Sequence, residues 1–358
     1  MVTEEEVFKA LSKVEDPELG RDLVSLGMIQ DVKVWSGGKV TFSLVLTTPS
    51  CPLKSQLAEA CRNAVMSVPE VNEVEVNITA RQAARPQKFT IPGVSNVIAV
   101  ASGKGGVGKS TVSANLALAL AENARVGLLD ADIYGPNIPL MMGVSNETLG
   151  VRDEKLIPLE SYGVKIMSRA FLTGDSDPVI WRGPLVAKMV KSFLAQVDWG
   201  ELDYLIVDLP PGTGDASLTL AQSIPLNGVI IVTTPQDVSL MDAVKALNMF
   251  KRLGVPILGI IENMSYFTCP HCGELTEIFD HGGAEKASES LVVPFLGAIP
   301  LDPKIRIGGD CGKPLAVMDP QSPQTESFRK IAKSLVSKIC FEALKSPLFQ
   351  QSRGGEDK

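Results

Sequence analysis

The chain is poor in the residues that several broad functions require. Of its 358 residues only two are histidine, six are cysteine and 5% are aromatic. So few aromatics leave no rows of base-stacking platforms. An excess of positive charge is missing as well: 34 Lys+Arg stand against 41 Asp+Glu, a net charge of −7. That balance argues against a general nucleic-acid coat or a basic membrane-surface protein. Long apolar runs are absent, since Val97–Ala101 and Gly228–Val232 are strand-length and far short of a bilayer span. The acidic opening MVTEEEVFKALSKVEDPELG lacks the uninterrupted apolar core of a signal peptide. The expectation is a soluble cytoplasmic protein, with neither nucleic acid nor membrane as partner. Six cysteines are too sparse for a disulfide scaffold in a chain with room for about two domains. Reduced thiols follow, and those with a task point to metal or redox chemistry. What is present, 45% hydrophobic and 21% charged residues, is an ordinary globular balance that excludes wholesale disorder.

Residues 1–80 read as a small α+β domain. Val7, Phe8, Leu11 and Val14 recur at helical spacing, and Asp16-Pro17-Glu18-Leu19-Gly20 ends that helix. A hairpin runs from Met28–Val34 through Ser36-Gly37-Gly38 into the alternating strand Val40, Phe42, Leu44, Leu46. Leu53, Leu57, Cys61 and Val65 form a helical stripe, and Val74, Val76 and Ile78 a last strand. Residues 81–95 lose periodicity and read as a linker, 96–345 as the main domain, and 346–358 as a polar tail. In the main domain apolar runs alternate with helices: Val97–Ala101, Arg125–Leu129, Val164–Ser168, Tyr204–Val207, Val229–Thr233, Ile257–Ile261 and Phe295–Ile299. Such runs predict an α/β fold, a mostly parallel sheet with helices on both faces.

The first of these strands leads into Gly103-Lys104-Gly105-Gly106-Val107-Gly108-Lys109-Ser110-Thr111, which matches G-x-x-x-x-G-K-[ST] between a strand and a helix. The glycines let backbone N–H groups curl around phosphate oxygens, and the helix N-terminus adds partial positive charge. Lys109 suits the β- and γ-phosphates of a nucleotide such as ATP, and the Ser110 hydroxyl suits Mg²⁺. Lys104 resembles the signature lysine of the deviant Walker A ATPases, a group that includes MinD, ParA and the nitrogenase iron protein. That resemblance implies a P-loop NTPase dimer in which Lys104 reaches the partner's nucleotide. It further implies that Asp132 orients the attacking water, that Asp130 supports the metal region and that Asn263 contacts adenine. Asp208, at the end of a buried strand, suits a Walker B role near Mg²⁺, and Pro210-Pro211-Gly212 after it suits a switch.

Cys269-Pro270-His271-Cys272-Gly273 brings two thiolates to one side of a turn. The spacing suits one tetrahedral metal, one edge of an iron–sulfur cluster, or a redox disulfide. A metal or cluster needs about four ligands and the motif supplies two. Either Cys311 joins from a distant loop, or two chains share one site. Cys61 and Cys340 fall on apolar helical stripes and read as core residues.

The strings GKGGVGKST, LLDADIYGPNIP, VDLPPGTGD, IENMSYFTCPHCGE, IFDHGGAEKAS and LGAIPLDPKIRIGGDCGKPL together resemble the Mrp/ApbC family of iron–sulfur cluster carrier ATPases. The family implies a homodimer that bridges a 4Fe–4S cluster through Cys269 and Cys272 of each chain. It implies ATP binding and hydrolysis, an assembly scaffold as cluster donor and apo iron–sulfur proteins as acceptors. The N-terminal domain resembles SufT-type maturation proteins through Asp16-Pro17-Glu18 and Thr47-Thr48-Pro49-Ser50-Cys51-Pro52, which makes Cys51 a candidate transient ligand or a buried structural thiol. The alternative function is a MinD/ParA-type positioning ATPase, against which the weakly apolar end SPLFQQSRGGEDK and the net acidity both argue.

Overall fold

The computed structural model describes residues 2–17, 20–46, 53–80, 90–172, 183–269 and 271–344. Cys51, the Thr47–Pro52 motif, residues 81–89 of the expected linker and the tail from 345 lie outside them. The chain divides into two compact units, Met1–Gln87 with the stretch from Val336, and Lys88–Leu335.

In the first unit, helix α1 (Glu4–Leu11) starts at Thr3, whose hydroxyl accepts the Glu6 N–H while the Glu6 carboxylate accepts the Thr3 N–H. This reciprocal cap satisfies two N–H groups that have no partner within the helix. Strands β1 (Ile29–Trp35) and β2 (Lys39–Leu46) pair antiparallel, and β3 (Glu73–Ala80) adds parallel to β2. The β1–β2 turn needs glycine: Gly37 and Gly38 have φ of 91° and 78°, and a Cβ on Gly38 would stand 2.2 Å from the Glu70 carbonyl oxygen. Helix α2 (Lys54–Met66) turns Leu57, Cys61 and Val65 into a core with Val40, Phe42 and Leu44. The alternation along β2 holds from Val40 to Leu44, whereas Val45, expected on the opposite face with Thr41 and Ser43, is buried like its neighbours. Fully burying each large apolar side chain contributes about 1.5–3 kcal/mol.

In the second unit, eight strands form one sheet. In chain order they are β4 (Val94–Ser102), β5 (Val126–Asp130), β6 (Leu159–Ser161), β7 (Val164–Met167), β8 (Leu202–Asp208), β9 (Gly228–Thr233), β10 (Ile257–Glu262) and β11 (Phe295–Ala298). Their spatial order is β6-β7-β5-β8-β4-β9-β10-β11. All neighbours run parallel except β6 and β7. The seven parallel strands coincide with the seven apolar runs. β4 begins at Val94, before the apolar run itself, and the edge strand β6 was not among the runs. Every residue of β8 is buried, so the sheet is covered on both faces. Helix α3 (Lys109–Ala121) follows β4 and is buried without interruption from Val112 to Leu120, which is why its sequence shows no polar face. From β4 the chain proceeds to β5 on one side of the sheet, and from β8 it crosses to β9 on the other. That reversal opens a crevice at the carboxyl end of β4. No helix among the described residues is long and apolar enough to cross a membrane.

Candidate functional site

The loop at the carboxyl end of β4 lines, with Ser102 and residues 104–111, a pocket of about 250 Å³ together with Asp132, Asn137, Met141 and Pro211. The pocket thus gathers Lys104, Gly105, Gly106, Val107, Gly108, Lys109, Ser110 and Thr111 of the expected phosphate loop. Gly103 lies just behind it, where a Cβ would stand 2.1 Å from the Asp242 carbonyl carbon. Gly108, with φ of 80°, forms the N-cap of α3 and makes no side-chain cap bond. The first N–H groups of α3 therefore face the pocket with the positive end of the helix dipole.

Asp208 lies behind the loop, against Lys109 and Ser110. It is fully buried at the end of β8, and its Oδ2 lies 2.7 Å from Lys109 Nζ and accepts the Ser110 hydroxyl at 2.6 Å. Its Oδ1 accepts the Ser113 hydroxyl at 2.6 Å. Ser113 was not anticipated, although its spacing of three from Ser110 in a helix puts both hydroxyls on one face. The carboxylate and two hydroxyls are hard oxygen donors, a set that suits Mg²⁺.

Asp130 and Asp132 part company. Asp130, buried at the end of β5, accepts the N–H groups of Asp132 and Ile138 and the Ser168 hydroxyl at 3.2–3.3 Å. Burial first, and then the Asp208 carboxylate, push it well above the ordinary carboxylate range. It holds the turn that carries Asp132, and Asp132 reaches the pocket wall. Burial raises Asp132 too, opposed by the Lys109 ammonium and by the N–H groups of Gly135 and Tyr134. Behind the loop, Asn263 is buried and donates from Nδ2 to the Val107 carbonyl at 2.8 Å. The segment after Asp208 is tied to the loop by a bond from Gly212 N–H to the Ser102 carbonyl at 2.9 Å.

The two cysteines sit at the tip of a short antiparallel hairpin, Phe267–Thr268 paired with Leu275–Thr276. Cys269 N–H donates to the Glu274 carbonyl and Gly273 N–H to the Cys269 carbonyl, each at 2.9 Å. Cys269 is half-buried and Cys272 exposed, and His271 between them faces solvent. The N–H of Cys272, then that of His271 and the Cys272 thiol, hold the Cys269 thiol below its usual value. Cys61 is the opposite case: burial pushes its thiol up to about 12. Alkylation of Cys269 by iodoacetamide is therefore expected to rise at lower pH than that of an ordinary thiol. Cys61 stays unmodified in the folded chain. Peptide mass spectrometry across a pH series reads both results, and a Cys269 profile no lower than that of a free cysteine peptide would contradict the assignment. Cys311 is exposed at the C-cap of helix Pro303–Asp310, and Cys340 is half-buried on helix Pro323–Leu344. Among the described residues no three His, Cys, Asp or Glu side chains converge as a metal-binding group.

A phosphate loop at the switch point of a parallel sheet, with an acid from the adjacent strand on its serine, defines a P-loop nucleotide-binding protein. The profile of the family described as NUBPL iron-transfer P-loop NTPase matches residues 93–336, and that of iron–sulfur cluster assembly proteins matches residues 4–78. The iron–sulfur cluster carrier protein of Synechocystis is 50% identical over 353 residues, covering 96% of this chain and 100% of its own. The iron–sulfur cluster transfer protein NUBPL of Dictyostelium discoideum is 51% identical over 255 residues, 70% of this chain and 79% of its own. A nucleotide-binding protein of Archaeoglobus fulgidus, solved with ADP, superimposes with a TM-score of 0.58 at 42% identity, covering 66% of this chain and 93% of its own. The chain belongs to the NUBPL-type family of iron–sulfur cluster carrier P-loop NTPases.

Proposed function

We propose that this protein carries a 4Fe–4S cluster on the Cys269–Cys272 pairs of a homodimer and delivers it to apo iron–sulfur proteins, receiving it from an assembly scaffold, with ATP binding and hydrolysis driving the cycle. The observation that carries this reading is the coexistence, within one unit, of a complete phosphate loop and a hairpin whose turn favours the Cys269 thiolate. The cluster is cargo, and each chain offers it two thiolates of the roughly four it needs.

In this reading Lys109 leaves Asp208 for the β- and γ-phosphates when ATP enters. Ser110 and Asp208 would hold Mg²⁺, which neutralises charge on those phosphates. Lys104, at the pocket wall, serves the partner's nucleotide. Asp132 orients the attacking water, its backbone held by Asp130. Gly103, Gly105, Gly106, Val107 and Thr111 complete the phosphate cradle, and Asn263 fixes the cradle from behind in addition to any contact with adenine.

Anaerobic reconstitution with iron and sulfide tests the reading. The expected result is about four irons for every two chains, with transfer to an apo-enzyme that gains activity. Stoichiometric zinc without iron in anaerobically purified protein would overturn it.

A further inference from the structure

Strand β10 ends on a carboxylate that solvent does not reach. Glu262 Oε1 accepts the Ser265 hydroxyl at 2.5 Å and the Gly282 N–H at 3.0 Å, and Oε2 accepts the Ala284 N–H at 2.7 Å. His281 Nδ1 lies 2.5 Å from the same Ser265 oxygen and 3.5 Å from Glu262 Oε1. With the serine proton given to Glu262, the imidazole donates from Nδ1. This is not the order of a nucleophilic triad: the hydroxyl lies between acid and imidazole, and Ser265 is fully buried, closed to substrate. The cluster has a different geometry of use. Ser265 precedes the thiol hairpin, whereas His281, Gly282 and Ala284 follow it. One buried carboxylate thus clasps both ends of the segment that carries Cys269 and Cys272.

The other side of the clasp is the phosphate loop. Asn263, next in sequence to Glu262, donates to the Val107 carbonyl at 2.8 Å. A Cβ placed on Gly108 would meet Asn263 Nδ2 at 2.3 Å and lie 3.6 Å from Met264 Cε, so Asn263 packs closely against the loop and Met264 lies beside it. Met264 joins this contact to Ser265 with φ of 55°, and Asp280 leads into His281 with φ of 73°. Non-glycine residues keep such angles only where surrounding bonds over-determine them. Val107 and Gly108 are thus linked to Ser265 by a short, constrained stretch of chain.

We propose that Glu262, Ser265 and His281 are positioning residues that transmit nucleotide occupancy at the phosphate loop to the Cys269–Cys272 hairpin and so set the exposure of its thiols. This rests on the reading that the loop takes nucleotide and the hairpin takes cargo. Linkage makes the effect reciprocal: cargo on the hairpin changes nucleotide affinity by the same factor.

The test uses the full chain and needs no cargo. Alkylation of Cys269 and Cys272 by iodoacetamide is followed by peptide mass spectrometry without nucleotide, with ADP and with a non-hydrolysable ATP analogue. The native chain is expected to change its rate about fivefold or more between these states, the range typical of coupled sites. Ser265→Ala and His281→Gln should each reduce that response to less than about 1.5-fold while ADP affinity stays within about twofold. His281 is partly exposed, so its variant reports on the clasp even where the change at buried Ser265 impairs folding. A native response retained in both variants overturns the proposal, as does a native chain whose thiols ignore nucleotide. Iron loading and ADP affinity measured on the same preparations separate either outcome from a failure of the carrier reading.

Discussion

Lys109→Met should lower ATP turnover by at least about a hundredfold, the scale of removing one preorganised charge from a developing phosphoryl transition state. The same substitution should also destabilise the protein without nucleotide. Lys109 Nζ stands 2.7 Å from the buried Asp208 Oδ2, and the pair is almost wholly shielded from water. Removing one member of a buried pair costs about 3–5 kcal/mol, because the other charge is left without its counter-ion. The Ser110 and Ser113 hydroxyls still donate to Asp208, which places the expected loss at the lower end of that range. For a unit of this size that is a fall in Tm of roughly 6–12 °C. The double variant Lys109→Met with Asp208→Asn distinguishes the two effects. It removes the orphaned charge and should recover most of the lost Tm, yet none of the turnover, since the phosphate-binding lysine and the carboxylate that would hold Mg²⁺ are both gone. Thermal melts and phosphate release on the single and double variants decide the matter. A double variant no more stable than the single would show that the uncompensated Asp208 charge is not what destabilises Lys109→Met.

The division between what was legible in the sequence and what was not follows from the range of the interactions. Strands such as β8 and β9 are buried on both faces, so they had to be continuous apolar runs and could be read as such. Edge strand β6 pairs on one side only and its Leu159–Ser161 side chains are half-exposed or exposed, which leaves no apolar signature. The phosphate loop is local: glycine, lysine and hydroxyl lie within nine consecutive residues and carry their chemistry wherever strand and helix flank them. Asn263 is not local. Its bond to Val107 spans 156 residues, and it exists only because β10 and β4 end at the same edge of the sheet. Asp130 illustrates a finer limit. Its place at a strand end was readable, but its use in holding the Asp132 and Ile138 N–H groups depends on a turn whose path no spacing rule supplies. The thiol pair was readable as two ligands. The His271 and Cys272 N–H groups that favour the Cys269 thiolate arise from the turn itself.

Cys269→Ala and Cys272→Ala should each abolish cluster loading, with iron and sulfide falling at least about tenfold, while ADP affinity stays within about twofold. The first half follows from ligand number. A 4Fe–4S cluster held by two chains has about four thiolates, and losing one residue from every chain removes two of them. The second half follows from placement: both cysteines lie beyond the hairpin strands, and neither lines the nucleotide pocket. Mixing chains tests the sharing itself. When native and Cys269→Ala chains are co-expressed in equal amounts and pair at random, about a quarter of the dimers are native on both sides. A cluster that needs both pairs then loads to about a quarter of the native level. A cluster built within one chain loads to about half, because each native chain keeps its own site whatever its partner. Loading plotted against the fraction of native chain is accordingly quadratic for a bridged cluster and linear for a private one. A linear plot would remove the dimer from the cargo site and require ligands from elsewhere in the same chain.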